Sequence, residues 1–185
     1  MVKKNACVFI SGTGTNLKSL INNSRDYNFP INIKLIVSNK KKAKGLNFAK
    51  KFAIPFIIIN TKNKLFEKKL LIEIKKRKIS LICLAGYMQV LSKRFISNFK
   101  GKILNIHPSL LPKYKGTNTF KRILNNNETI AGCTVHFVND KLDSGKIILK
   151  KKFNLSIDEN EMSLKKKTQK LEYRAFSEAI NKIYR

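Results

Sequence analysis

Short apolar runs alternate with amphipathic stretches along most of the chain. Residues 6–10 form the first run, which stops at Ser11-Gly12. Leu17, Leu20 and Ile21 then recur at helical spacing, which predicts a helix over 16–23. Residues 31–37 have strand character, and 42–52 read as a helix that packs through Leu46, Phe48, Ala49 and Phe52. A β-branched run at 56–59 precedes an amphipathic helix over 64–76, whose apolar positions include Leu65, Leu70 and Ile74. Residues 81–85 form a buried strand ending at Gly86, and Ser92 is placed to cap a short helix through Phe99. Residues 103–107 make a strand closed by Pro108, and 119–125 a short helix. The last strands fall at 134–138 and 147–153, before a long helix over 161–184.

Continuous apolar strands alternating with helices indicate a sheet covered on both faces. The expected fold is therefore α/β: doubly wound, with a mostly parallel sheet and helices on both sides. No repeat, linker or break in composition divides the 185 residues, so one domain over 1–185 is expected. Ligands in such folds sit beyond the carboxyl ends of the strands, which makes the strand-end loops the place to look.

After the first strand comes Ser11-Gly12-Thr13-Gly14-Thr15-Asn16-Leu17, running straight into a helix. Glycines admit an anion close to the backbone, and a helix N-terminus holds it. Leu17 occupies the third glycine position of the dinucleotide motif, so a compact phosphate suits the loop better. By themselves these residues fit a structural turn equally well. Ala85 to Leu91 (AGYMQVL) would line a flat apolar slot or simply pack in the core. The fifth strand carries Asn105 and His107, two apart and hence on one face, at its carboxyl end. A carboxamide beside an imidazole can stabilise an oxygen that becomes negative, and the imidazole can also move protons. His136, flanked by apolar residues in its strand, is expected to be structural. The loop Asn139-Asp140-Lys141-Leu142-Asp143-Ser144-Gly145 has turn chemistry, but it also brings carboxylates to a strand end. A carboxylate beside His107 would raise its pKa and stabilise the imidazolium.

Charge adds a competing reading. Lys+Arg total 39 against 11 acidic residues, a net charge of +28. Nucleic acid is nevertheless not the preferred partner. Almost all the cations are lysine, they are spread along the whole chain, and aromatic residues do not interleave with them as stacking platforms would. A/T-rich codons for Lys, Asn and Ile account for the bias, and the field it creates would attract anionic substrates. No apolar run reaches the ~20 residues of a membrane span, and the start MVKKNACVFIS does not read as a signal peptide. Cys7, Cys83 and Cys133 lie far apart in apolar runs, which suggests buried reduced thiols in a cytoplasmic protein and no metal site. Oligomeric state is not legible.

Four blocks, SGTGTNL, LAGYMQVLS, NIHPSLLPKYKG and HFVNDKLDSG, occur in one order. Together they resemble the folate-dependent formyltransferases, and most nearly the single-domain bacterial branch of purine synthesis. The resemblance covers nearly the whole chain. It implies transfer of a formyl group from 10-formyltetrahydrofolate, as co-substrate, to the amine of glycinamide ribonucleotide. It also implies that Asn105 and His107 stabilise the oxyanion, and that Asp143 holds His107 charged and helps shuttle the proton. Gly14, Thr15, Asn16, Leu17 and Glu172 would bind the ribonucleotide. Met88, Gln89, Val90, Leu91, Asn105, Asn139 and Asp140 would bind the folate. Departures from the pattern are Asn63, between Lys62 and Lys64, where arginine is frequent; Gln89 for a basic residue; Lys115 for proline; and Asn118, Phe120 and Tyr173 for histidines. Related hydrolases, in which water replaces the amine, carry an N-terminal regulatory domain, and a first strand starting at Ala6 is expected to leave no room for one. The alternatives are such a hydrolase, or a basic nucleic-acid-binding module on a decayed enzyme scaffold.

Overall fold

The computed structural model describes residues 2–60 and 65–184, so the positions of Lys62, Asn63 and Lys64 lie outside the described residues. The chain folds as two compact units, Met1–Leu104 and Asn105–Arg185.

The first unit holds strands β1 (Lys4–Ile10), β2 (Ile31–Ser38), β3 (Phe56–Ile58) and β4 (Ile79–Leu84), in the spatial order β3-β2-β1-β4. β1 pairs in parallel with β2 and β4, and β2 with β3. Ala6, Cys7, Val8, Phe9 and Ile10 are all fully buried, as expected of a central strand covered on both faces. Helices α1 (Thr15–Ser24), α2 (Leu46–Lys51), α3 (Phe66–Lys76) and α4 (Lys93–Asn98) connect them. Ser92 caps α4 as its sequence suggests: its Oγ accepts the Phe95 amide at 3.0 Å.

α2 is shorter than the periodicity predicts. It starts at Leu46, and the residues before it run through turns. A tertiary approach explains the difference. The Gly45 amide donates to Gly12 O at 3.0 Å, and a Cβ on Gly14 would lie 2.5 Å from Gly45 Cα. Two glycines thus let the segment before α2 seat against the loop after β1. Gly14 also has φ 74°, a conformation glycine adopts at little cost.

The second unit contains the end of β5 (Lys102–His107), then α5 (Thr119–Asn125), β6 (Ile130–Phe137), β7 (Ile147–Asn154) and α6 (Glu161–Tyr184). β6 begins four residues earlier than its apolar pattern predicts, because Ile130, Ala131, Gly132 and Cys133 complete the antiparallel ladder with β7. The loop between them closes tightly: a Cβ on Gly145 would lie 1.7 Å from Phe137 O. α6 has the bounds predicted from its sequence and packs on β6 and β7, burying Leu164, Ala175, Phe176, Ala179 and Ile180. Lys150 and Lys152 lie on β7, which ends the order β5-β6-β7, and lysines of this kind discourage edge-to-edge pairing.

Gly14→Ala combines a left-handed backbone with a backbone clash, so a loss of about 1–2 kcal/mol from conformation alone is expected, and more from the displaced Gly45 segment. Urea unfolding against the wild type measures it.

Candidate active site

β5 ends with alternate side chains on one face, and β6 does the same beside it. Asn105 and His107 project from β5, and Thr134 and His136 from β6. The 138–146 connection then returns Asp143 to these strand ends, with φ 46° at Asp143 itself. An aspartate tolerates this left-handed conformation better than most residues. Its carboxylate is 9% exposed, and its two oxygens face different partners. Oδ1 lies 3.4 Å from Asn105 Nδ2 and 3.7 Å from His136 Nε2. Oδ2 accepts the Gly116 amide at 2.9 Å and lies 3.3 Å from His107 Nδ1. The expected trio of Asn105, His107 and Asp143 does converge, and the carboxylate is its centre.

The ring roles follow from the partners. His107 Nε2 is 2.8 Å from Tyr114 O, a carbonyl that can only accept, so Nε2 carries a hydrogen. Nδ1 faces Asp143 Oδ2, which can only accept, so a hydrogen bond there needs the protonated ring. Burial pulls His107 below its ordinary 6.5, against the upward pull of the Tyr114 carbonyl and Asp143. For Asp143, burial pushes upward, but the neighbouring His136 ring, the Gly116 amide and His107 hold it below 3.8. Burial therefore opposes the imidazolium, while the Tyr114 carbonyl and the Asp143 carboxylate, one at each ring nitrogen, favour it. Asp143 acts on His107 in the expected direction, but desolvation is larger. The charged ring expected from the sequence has its hydrogen on Nδ1 directed at Asp143.

His136 is buried, as expected of a structural residue, and it also joins the polar cluster. Its Nδ1 donates to Phe137 O at 2.8 Å, which leaves Nε2 to accept from Asn105 Nδ2 at 3.2 Å. With acceptors at His136 and Asp143, the Asn105 amide must present its nitrogen to both. Thr134 was missed. Its hydroxyl donates to Ser109 O at 2.7 Å and accepts the Leu111 amide at 3.0 Å. Ser109 in turn donates to Lys113 O at 2.6 Å. These bonds hold the loop that supplies Tyr114 O and Gly116 N. Two polar residues at strand spacing in an apolar run were the available signal.

The remaining predicted residues divide between the units. In the first, Gly14 precedes α1, whose N-terminus has no side-chain cap and no acidic residue in its first turn. Thr15 and Asn16 open the helix, while the Leu17 side chain is wholly buried, so Leu17 offers only backbone. Met88, Gln89 and Val90 are exposed, and Leu91 is in the core. In the second unit, Asn139 and Asp140 are exposed, with Asn139 Oδ1 accepting the Lys141 amide at 3.1 Å in an Asx turn. Glu172 is buried on α6 at 7% exposure, and its charge pushes up the Cys133 thiol after burial itself. Among the described residues no group of three His, Cys, Asp or Glu is arranged to hold a metal ion.

The formyl transferase family model matches residues 4–180. The chain belongs to this family. Phosphoribosylglycinamide formyltransferase of Haemophilus influenzae is 38% identical, over 94% of this chain and 84% of its own length. The human trifunctional purine biosynthetic protein adenosine-3 is 37% identical over 98% of the chain, which spans only 18% of that protein. A crystal structure of phosphoribosylglycinamide formyltransferase from Brucella melitensis matches with a TM-score of 0.93 at 35% identity, covering 98% of this chain and 96% of that one. The α/β formyltransferase fold expected from the sequence is thereby established.

Folding favours the neutral form of His107, so its contribution to stability is full above pH 6.5 and is lost as pH falls through 6.5 toward the lowered folded value. Asp143 extends the loss below pH 3.8. The melting temperature should therefore fall on acidification from pH 7 to 5, and less steeply in His107→Asn.

Proposed function

We propose that this chain is a phosphoribosylglycinamide formyltransferase, moving the formyl group of 10-formyltetrahydrofolate to the amine of glycinamide ribonucleotide in purine synthesis. Its 185 residues would work as one formyltransferase domain, in keeping with a family match that runs through both units. The observation that carries the reading is the Asp143 carboxylate, shared between Asn105 and His107 in a chain of this family.

The chemistry follows from the atoms. Attack of the amine on the formyl carbon turns the carbonyl oxygen into an oxyanion and leaves a proton on the nitrogen. Asp143 and His107 Nδ1 are the acceptors that take up that proton, directly or through water. The contact between Asn105 and Asp143 is long, at 3.4 Å. As Asp143 engages the proton this contact gives way, and the amide hydrogen turns to the oxyanion. The imidazolium then stabilises the intermediate and returns the proton to the departing folate nitrogen. His136 keeps the other amide hydrogen engaged, so the carboxamide cannot flip.

Gly14, Thr15, Asn16 and Leu17 would hold the phosphate on backbone amides at the uncapped end of α1, with Glu172 on the same ribonucleotide. Met88, Gln89, Val90 and Leu91, with Asn139 and Asp140, would take the folate. The surplus of lysine suits two anionic substrates. Three free, buried cysteines suit a cytoplasmic location.

Purified protein is expected to release tetrahydrofolate from 10-formyltetrahydrofolate only when glycinamide ribonucleotide is present. Release in water alone identifies a hydrolase. No release, together with salt-steep RNA binding, identifies a nucleic-acid module. Asn105→Ala should lower turnover by roughly 10²–10³. His107→Ala should fold near wild type and lose most of the transfer rate, and full activity in either variant contradicts the assignment.

A further inference from the structure

The end of β1 carries an arrangement that the catalytic trio does not use. Ser11 is 4% exposed, at the point where β1 gives way to the glycine loop. Its backbone amide donates to Gly86 O at 3.2 Å, and its hydroxyl accepts the Met88 amide at 2.7 Å. The hydroxyl proton goes to Asn39 Oδ1, beyond β2, at 2.6 Å. One serine therefore ties together the segments that follow β1, β2 and β4. Its two bonds to the β4 segment bracket Gly86-Tyr87-Met88. Between them, Tyr87 stacks edge-on against Phe9, two residues before Ser11 on the same strand face, with ring centroids 5.2 Å apart. Gly86 turns at φ 70° to allow the return.

The hydroxyl has a defined role in this network. Asn39 presents an acceptor, so the Ser11 proton is committed to it and a lone pair is committed to Met88. The glycine loop has separate anchors, the Gly45 amide on Gly12 O and the Gly14–Gly45 contact. Removing the hydroxyl would thus release the 86–91 segment and leave the glycine loop in place.

We propose that Ser11 is a positioning residue for the folate. It holds the exposed residues Met88, Gln89 and Val90 in register from the strand end that opens the phosphate loop. This rests on the formyltransferase reading above, because that reading assigns 88–91 to the folate. Ser11 touches neither substrate in the proposal. It acts through the Met88 amide, and Asn39 acts through Ser11.

The test compares wild type, Ser11→Ala, Ser11→Thr and Asn39→Ala in steady-state transfer assays, and follows hydrogen exchange at the Met88 amide in the unliganded proteins. Ser11→Ala should raise the KM for 10-formyltetrahydrofolate about three- to tenfold, the effect of one lost neutral hydrogen bond, while the KM for glycinamide ribonucleotide stays near wild type. Exchange at Met88 should quicken by a similar factor. Ser11→Thr keeps the hydroxyl and should restore both readings, and Asn39→Ala should give a smaller shift in the same direction. Equal rises in the two KM values, or no rise, overturn the proposal. If wild type transfers no formyl group, the functional reading has failed by itself. Unchanged Met88 exchange in Ser11→Ala then overturns the role of Ser11 as well, and faster exchange upholds its hold on the loop.

Discussion

A carboxylate in the interior must be satisfied from every side, and the second unit is organised around that demand at Asp143. Burial by itself pushes the group toward its protonated form. The Gly116 amide and Asn105 donate to it, and the His107 and His136 rings lie beside it. Each partner is itself held elsewhere: His107 by Tyr114 O, His136 by Phe137 O, and the loop carrying Tyr114 and Gly116 by Thr134 and Ser109. The result is a charge whose neighbours have little freedom to relax, which is how preorganised electrostatic catalysis avoids a reorganisation cost at the moment of reaction.

The state of the pair matters to its chemistry. On the proposed reading, a permanent imidazolium could stabilise an oxyanion but could not also accept the proton of an attacking amine. Burial pulls His107 toward the neutral ring, and Asp143 favours the protonated one. On that reading, one residue serves as acceptor first and as cation afterwards because opposing effects act on it.

In the first unit the same economy appears without charge. Glycines at 14 and 45 allow backbone to meet backbone, and α1 has no side-chain hydrogen bond capping its N-terminus. Ser11 links the loops by hydrogen bonds to groups that would otherwise be orphaned in a partly buried turn.

Local pattern alone was sufficient for the alternation of strands and helices, the cap at Ser92, the full extent of α6, and the shared face of Asn105 and His107. These depend on side-chain period and on the chemistry of neighbouring residues, both of which are written along the chain. The four blocks likewise carried the family. What pattern could not supply was which distant groups would meet. The truncation of α2 came from a contact between Gly14 and Gly45, thirty-one positions apart. The early start of β6 came from its ladder with β7, and the place of His136 from Asn105 lying beside it. Ser11 reads as an ordinary turn residue until Met88 and Asn39 are brought to it. Protonation was decided last and in three dimensions, because the burial that lowers His107 is a property of everything packed around the ring and of no single residue near it in sequence.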